Sequence, residues 1–200
     1  SGAGRKTRGE KLRIGRLFSV SPIMTTKLLF TALGLASLVM TGAGCSRAEP
    51  AGGPAAEAFV ARPAPVWKLK DVTGKLVSSE EFKGKVLVVD FWATWCAPCR
   101  AEIPGYVELQ KKYGGDGLVI VGVSLDQGET GPKLVKAFVE KFGVNYPVVM
   151  GDDDVQQAFG GMDAIPTTFI IDRAGVIQAR KTGAEPAEDF EKRVLAVLKS

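Results

Sequence analysis

Phe91-Trp92-Ala93-Thr94-Trp95-Cys96-Ala97-Pro98-Cys99-Arg100 is the stretch whose reading decides the fold. An apolar, β-favouring run from Val86 to Phe91 leads into it, and a helix-like segment from Ala101 to Tyr113 leads out. Two thiols therefore sit where a strand ends and a helix begins. A helix N-terminus carries unpaired N–H groups and the positive end of the macrodipole, and both favour a thiolate. Cys96 is accordingly expected to have a lowered pKa and to attack disulfides readily. Cys99 follows one turn later, within reach of a disulfide with Cys96. Pro98 suits the first helical turn, where its missing N–H costs little.

Other readings of the pair are a structural disulfide, a zinc half-site and two core cysteines. Zinc takes about four ligands, and this chain has no His and no second Cys pair. Core cysteines do not suit a place between Trp and Pro at a strand–helix junction. The junction favours redox chemistry. Trp92 and Trp95 shield the pair and offer apolar contact area, with plain core packing as the competing reading of Trp92.

The segment Val88 to Cys99 resembles the active site of the thioredoxin superfamily. The following Arg-Ala-Glu-Ile-Pro, residues 100 to 104, is similar to the extracytoplasmic TlpA/ResA-like branch, with a redoxin or AhpC/TSA-type domain. The resemblance runs from about Pro65 to the end of the chain. It implies a thioredoxin fold: an α/β domain whose central mixed sheet is flanked by helices, with an N-terminal β-hairpin and an inserted βα segment over Leu118 to Met150. It implies a thiol-disulfide oxidoreductase without a cofactor, acting as a reductant outside the cytoplasmic membrane. Its partners would be client proteins carrying cysteine pairs, such as apocytochrome c or copper-site proteins. A membrane thiol-reductase would re-reduce it, since no glutathione pool serves that compartment. The residues themselves do not fix the direction: potentials in such folds span about −270 to −120 mV.

Asp90 is a carboxylate inside the apolar run Val86 to Phe91. Burial disfavours its charged form, so its pKa is expected to rise toward neutrality, where it can shuttle protons. The competing reading is a strand-end aspartate facing water. Asp90 stands six residues before Cys96, and the resemblance implies that it serves Cys99. Glu102 follows Cys99 by one helical turn and can share its face. The resemblance makes it an active-site residue; otherwise it is a surface Glu favoured by the helix dipole. Pro104 falls inside the helical pattern and should kink it.

Ala164-Ile165-Pro166-Thr167-Thr168 opens a later apolar run. A proline there suggests an edge or a special turn, the alternative being a trans proline at a strand start. The resemblance implies a cis Pro166 facing the two thiols. The backbone of Ile165 would then pair with an extended substrate, strand to strand.

The remaining pattern supports one α/β domain over 65–200. Val66 to Leu69 and Leu76-Val77 read as short strands, and Ser78 or Ser79 as the cap of a helical turn ending near Gly84. Leu118 to Ser124 is a second buried strand. Asp126 to Gly131 is a polar loop, and Pro132 to Phe142 an amphipathic helix stopped by Gly143. A strand from Tyr146, a short helix from Asp152 to Phe159, a hairpin turn at Asp172 to Gly175 and a last helix over Ala187 to Leu198 complete it.

Upstream, residues 1–44 read as a leader. Met24 is a credible start, followed by Lys27, a 13-residue apolar run from Leu28 to Met40, and small residues before Cys45: the pattern of an export signal, with a membrane anchor as the competing reading. Cys45 after Gly42-Ala43-Gly44 resembles a lipobox, although Gly42 stands where that motif prefers Leu. A lipid on Cys45 would account for the odd cysteine; cleavage without lipid is the alternative. Residues 45–64 read as a Pro- and Gly-interrupted linker.

The formal charge of +4 belongs to the leader. Seven of the 26 basic and one of the 22 acidic residues lie in 1–44, which leaves 19 against 21, a net of −2. The main domain thus carries no basic footprint for nucleic acid. Two other functions remain at this level: a copper-binding module using Cys96 and Cys99 as soft ligands, though Met or His partners are wanting nearby, and a peroxiredoxin-like peroxidase.

Overall fold

The computed structural model describes residues 60–200. The leader, Cys45 and most of the expected linker lie outside the described residues.

A six-stranded mixed sheet forms the centre. Its strands are β1 (Arg62–Pro63), β4 (Val86–Trp92), β5 (Leu118–Ser124), β6 (Val148–Met150), β7 (Thr167–Ile171) and β8 (Val176–Thr182), while β2 (Lys68–Lys70) and β3 (Leu76–Ser78) pair apart from it as a hairpin. The spatial order is β1-β8-β7-β4-β5-β6. β4, β5 and β6 are parallel, whereas β7 and β8 run antiparallel to their neighbours. Arg62 and Pro63, read above as linker, pair with β8.

All seven residues of β4 are buried, as expected of a continuous apolar strand covered on both faces. The pleat sends Val86, Val88 and Trp92 to one face and Leu87, Val89 and Phe91 to the other. The first face is covered by helices α1 (Ala97–Tyr113), α2 (Gly131–Phe142) and α4 (Ala187–Leu198), through Ile103, Val135 and Phe190. The second is covered by the β2–β3 hairpin and by α3 (Asp153–Ala158) with Phe159. There Phe91, Phe159 and Phe169 pack edge to face or tilted, with centroids 4.8–6.0 Å apart. This is the expected fold class, including the hairpin and the inserted β5-α2-β6 segment.

Local chemistry sets the boundaries. Ser78 caps the single turn Ser79–Phe82 in a capping box with Glu81. Asp152 caps α3 by accepting from the Val155 N–H. Gly143 closes α2 at φ 64°, a left-handed conformation that suits glycine. Helix α1 starts at Ala97, earlier than the pattern from Ala101 suggested, and runs through Pro104 as one element. Among the described residues no helix is long and apolar enough to cross a membrane.

Candidate active site

The carboxyl end of β4 delivers the chain to the N-terminus of α1 across Ala93–Cys96. Cys96 is the N-cap of that helix. Its sulfur accepts the backbone N–H of Cys99 at 3.3 Å, the place usually taken by a capping oxygen. Pro98 occupies the first turn, exposed to solvent. Cys96 and Cys99 are joined in a disulfide, with their Cα atoms 5.3 Å apart. Cys96 keeps 5% of its surface and Cys99 1%, so the first sulfur is less open than its place at a junction suggested.

What covers Cys96 comes from the loop before β7. The Ile165–Pro166 bond is cis, and the Ile165 carbonyl oxygen lies 3.7 Å from the Cys96 sulfur. Residues 69 apart in sequence thereby meet at one sulfur. Trp95 stands at the rim with 67% of its surface open. Trp92 does not shield the pair from outside. It is buried, 5.1 Å from the Phe138 ring, and a Cβ at Gly122 would come within 2.9 Å of its Nε1.

Asp90 is 2% exposed, which removes the strand-end alternative. It alternates with Val88 and Trp92, on the face where α1 brings Cys99, Ile103 and Tyr106. Burial pushes its pKa up to about 7, partly opposed by the hydrogen bond from Thr168 Oγ1 at 2.8 Å and by the Lys181 charge. Glu102 is no surface residue either. Its side chain and that of Lys181 are each 8% exposed and form an ion pair. The Glu185 N–H donates to the same Glu102 oxygen at 3.1 Å. Lys181 also donates to Tyr106 Oη at 3.2 Å, and Tyr106 Oη meets Thr168 Oγ1 at 3.3 Å. Burial pushes the Tyr106 phenol far above its ordinary value.

The residues marked in the sequence thus fall into layers. Trp95 and Pro98 stand at the exposed rim, Cys96 lies beside it with Ile165 and Pro166, and Cys99 sits inside, with Asp90 and Glu102 in a polar layer behind. Sequence reasoning missed Tyr106, Thr168 and Lys181, which connect that inner layer. Thr168 inside an apolar strand, and Tyr106 one turn after Glu102, were the available signals.

A further anchor was read only as loop. Buried Asp126 accepts from the Thr94 N–H at 2.9 Å, the Thr94 hydroxyl at 2.5 Å and the Ser124 hydroxyl at 2.8 Å. These bonds fix the turn that precedes Cys96 to the end of β5.

A disulfide of this kind, with one sulfur on a helix N-cap, can exchange with an attacking thiolate, and the dithiol it leaves can in turn attack a disulfide. Known proteins agree. The AhpC/TSA family model matches residues 60–180. The thioredoxin-like protein YneN of Bacillus subtilis is 35% identical over 131 residues, covering 66% of this chain and 76% of that protein. The thiol-disulfide oxidoreductase ResA of Geobacillus thermodenitrificans is 35% identical, covering 67% and 75%. The crystal structure of a thiol:disulfide interchange protein of the thioredoxin family from Chlorobium tepidum superposes with a TM-score of 0.64 at 36% identity, over 70% of this chain and 98% of that one. With the pair, the fold and the relatives in accord, this chain belongs to the AhpC/TSA family, as a thiol-disulfide oxidoreductase of the TlpA/ResA-like branch of the thioredoxin superfamily.

Proposed function

We propose that the chain reduces disulfides of client proteins on the outer side of the cytoplasmic membrane, with Cys96 as nucleophile and Cys99 as resolving thiol. The observation that carries the assignment is the sulfur of Cys96 as the N-cap acceptor of α1. The same N–H groups and dipole that hold it there lower the cost of a thiolate.

In the reduced chain the Cys96 thiolate attacks one client sulfur. The client S–S bond breaks, a mixed disulfide forms, and the departing client sulfur takes a proton. Cys99 then loses its proton to the Asp90 carboxylate and attacks the Cys96 sulfur. The Cys96–Cys99 bond forms and the second client sulfur leaves as a thiolate. Two electrons pass from chain to client. A group that titrates near 7 suits this exchange, because both its forms are present at neutral pH. Glu102 supports the proton step from the same inner layer. The Ile165 backbone and Pro166 receive the client segment, strand to strand, and Trp95 and Pro98 supply apolar rim area.

The leader pattern supports export, and Gly42-Ala43-Gly44-Cys45 supports a lipid tether on Cys45 with 46–64 as a spacer. A membrane thiol-reductase would return electrons to the pair. Apocytochrome c and metal-site cysteines are the client classes in view.

Cys99→Ala tests the order of attack. It should accumulate a mixed disulfide between Cys96 and a client offered in its disulfide form, visible as a non-reducing gel shift that dithiothreitol removes. Absence of any adduct would falsify the resolving role of Cys99.

A further inference from the structure

Asp90, Thr168 and Lys181 form one row across three strands. Asp90 is opposite Thr168 in the β4–β7 register, and Thr168 is opposite Lys181 in the β7–β8 register. Cross-strand partners point to the same face. Over that row lie Glu102 and Tyr106 of α1, one turn apart. The side chains close into a chain of contacts from Asp90 through Thr168, Tyr106 and Lys181 to Glu102.

The occupancy of Glu102 is lopsided. Lys181 Nζ and the Glu185 N–H both bind Oε1, while Oε2 is buried without a partner. Lys181 is confined as well: its ammonium lies 5.3 Å from the Phe190 ring centroid and 5.8 Å from that of Tyr106. Neither charge can swing to solvent, so both act at fixed range on Asp90. Without the cation, Glu102 would act unopposed against the Asp90 anion.

We propose that Lys181 is a positioning residue of this site, and that with Glu102 it forms a buried pair of opposite charges that governs the proton on Asp90. Lys181 favours the Asp90 anion and Glu102 opposes it. The groups that act on Asp90 are Thr168 from β7, Lys181 from β8, Glu102 and Tyr106 from α1, and Tyr146 before β6, while Cys99 of α1 packs on the same face of β4 beside Val88 and Trp92. Burial raises both phenols, so they stay neutral over the range in which Asp90 titrates. The inference rests on the role of Asp90 given above.

Carbon-13 NMR titration of the Asp90 carboxyl, in the full chain in its disulfide form, tests it without turnover. The Asp90 signal is assigned by its loss in Asp90→Asn. Lys181→Met should move the midpoint up, and Glu102→Gln should move it down, each by about one pH unit. The double variant should return toward the wild type, because the opposed charges leave together. Midpoints that stay put, or single variants that shift the same way, overturn the proposal. If Lys181→Met does not fold, the downward shift in Glu102→Gln and its recovery in the double variant decide the matter, and a missing downward shift overturns it. A failure here leaves the roles of Cys96 and Cys99 to the trapping test.

Discussion

At Asp90 burial and ionisation compete, and the competition sets a pH dependence. Its pKa stands near 7 in the folded chain against an ordinary 3.8. Between those values the folded state keeps a proton that the unfolded state has lost. This contribution to stability is therefore complete below about pH 4 and is lost as pH rises through 7. Three units correspond to about 4 kcal/mol of opposition to folding at pH 8. Asp90→Asn keeps an acceptor for Thr168 but carries no charge. Denaturant unfolding of the disulfide form should show the variant more stable than the wild type by about 2–4 kcal/mol at pH 8, and nearly equal to it at pH 4. The variant should also reduce disulfides more slowly, since an amide cannot take the Cys99 proton. A stability difference independent of pH would contradict this account. Asp90 was legible because a carboxylate in an apolar strand violates the pattern around it. Lys181 was not: it lies 79 residues from Glu102, and strand β8 carries mixed polar residues that read as a solvated face.

Elements carry the site through their ends. The end of β4, the turn 93–96 and the start of α1 place Cys96, and Asp126 at the end of β5 ties that turn down. Asp126→Ala would strip three hydrogen bonds and leave the Thr94 N–H without its acceptor. The expected loss is about 2–4 kcal/mol of stability in denaturant unfolding. Alkylation of reduced Cys96 should slow at the same time, because the sulfur is no longer held against the helix N-terminus. Unchanged alkylation would confine Asp126 to stability. Most elements were legible from apolar spacing and caps: Ala187–Leu198, the hairpin turn at Asp172–Gly175 and the cap at Ser78 lie where the pattern put them. The first turn of α1 showed in Pro98 and not in the apolar spacing, which begins only where side chains reach the core, because Ala97 and Pro98 face solvent. Asp126 looked like loop because its partners are a backbone N–H and two hydroxyls, none of which shows in a hydrophobic pattern.

Across the whole molecule, the sheet divides labour between its faces. One side is an apolar layer built on Phe91, Phe159 and Phe169; the other mixes apolar packing with the polar row behind the thiols. The order of strands and helices could be read along the chain, and the resemblance supplied the topology. The meeting of the Ile165 carbonyl with Cys96 was implied by that resemblance alone, since short-range pattern holds no information on loops 69 residues apart. The result is an asymmetric pair: Cys96 at the helix N-cap beside the rim, Cys99 inside. Competitive alkylation of the reduced chain at about pH 6, followed by peptide mass spectrometry, measures this asymmetry directly. The account predicts that Cys96 is tagged well ahead of Cys99; equal tagging, or Cys99 first, would contradict it.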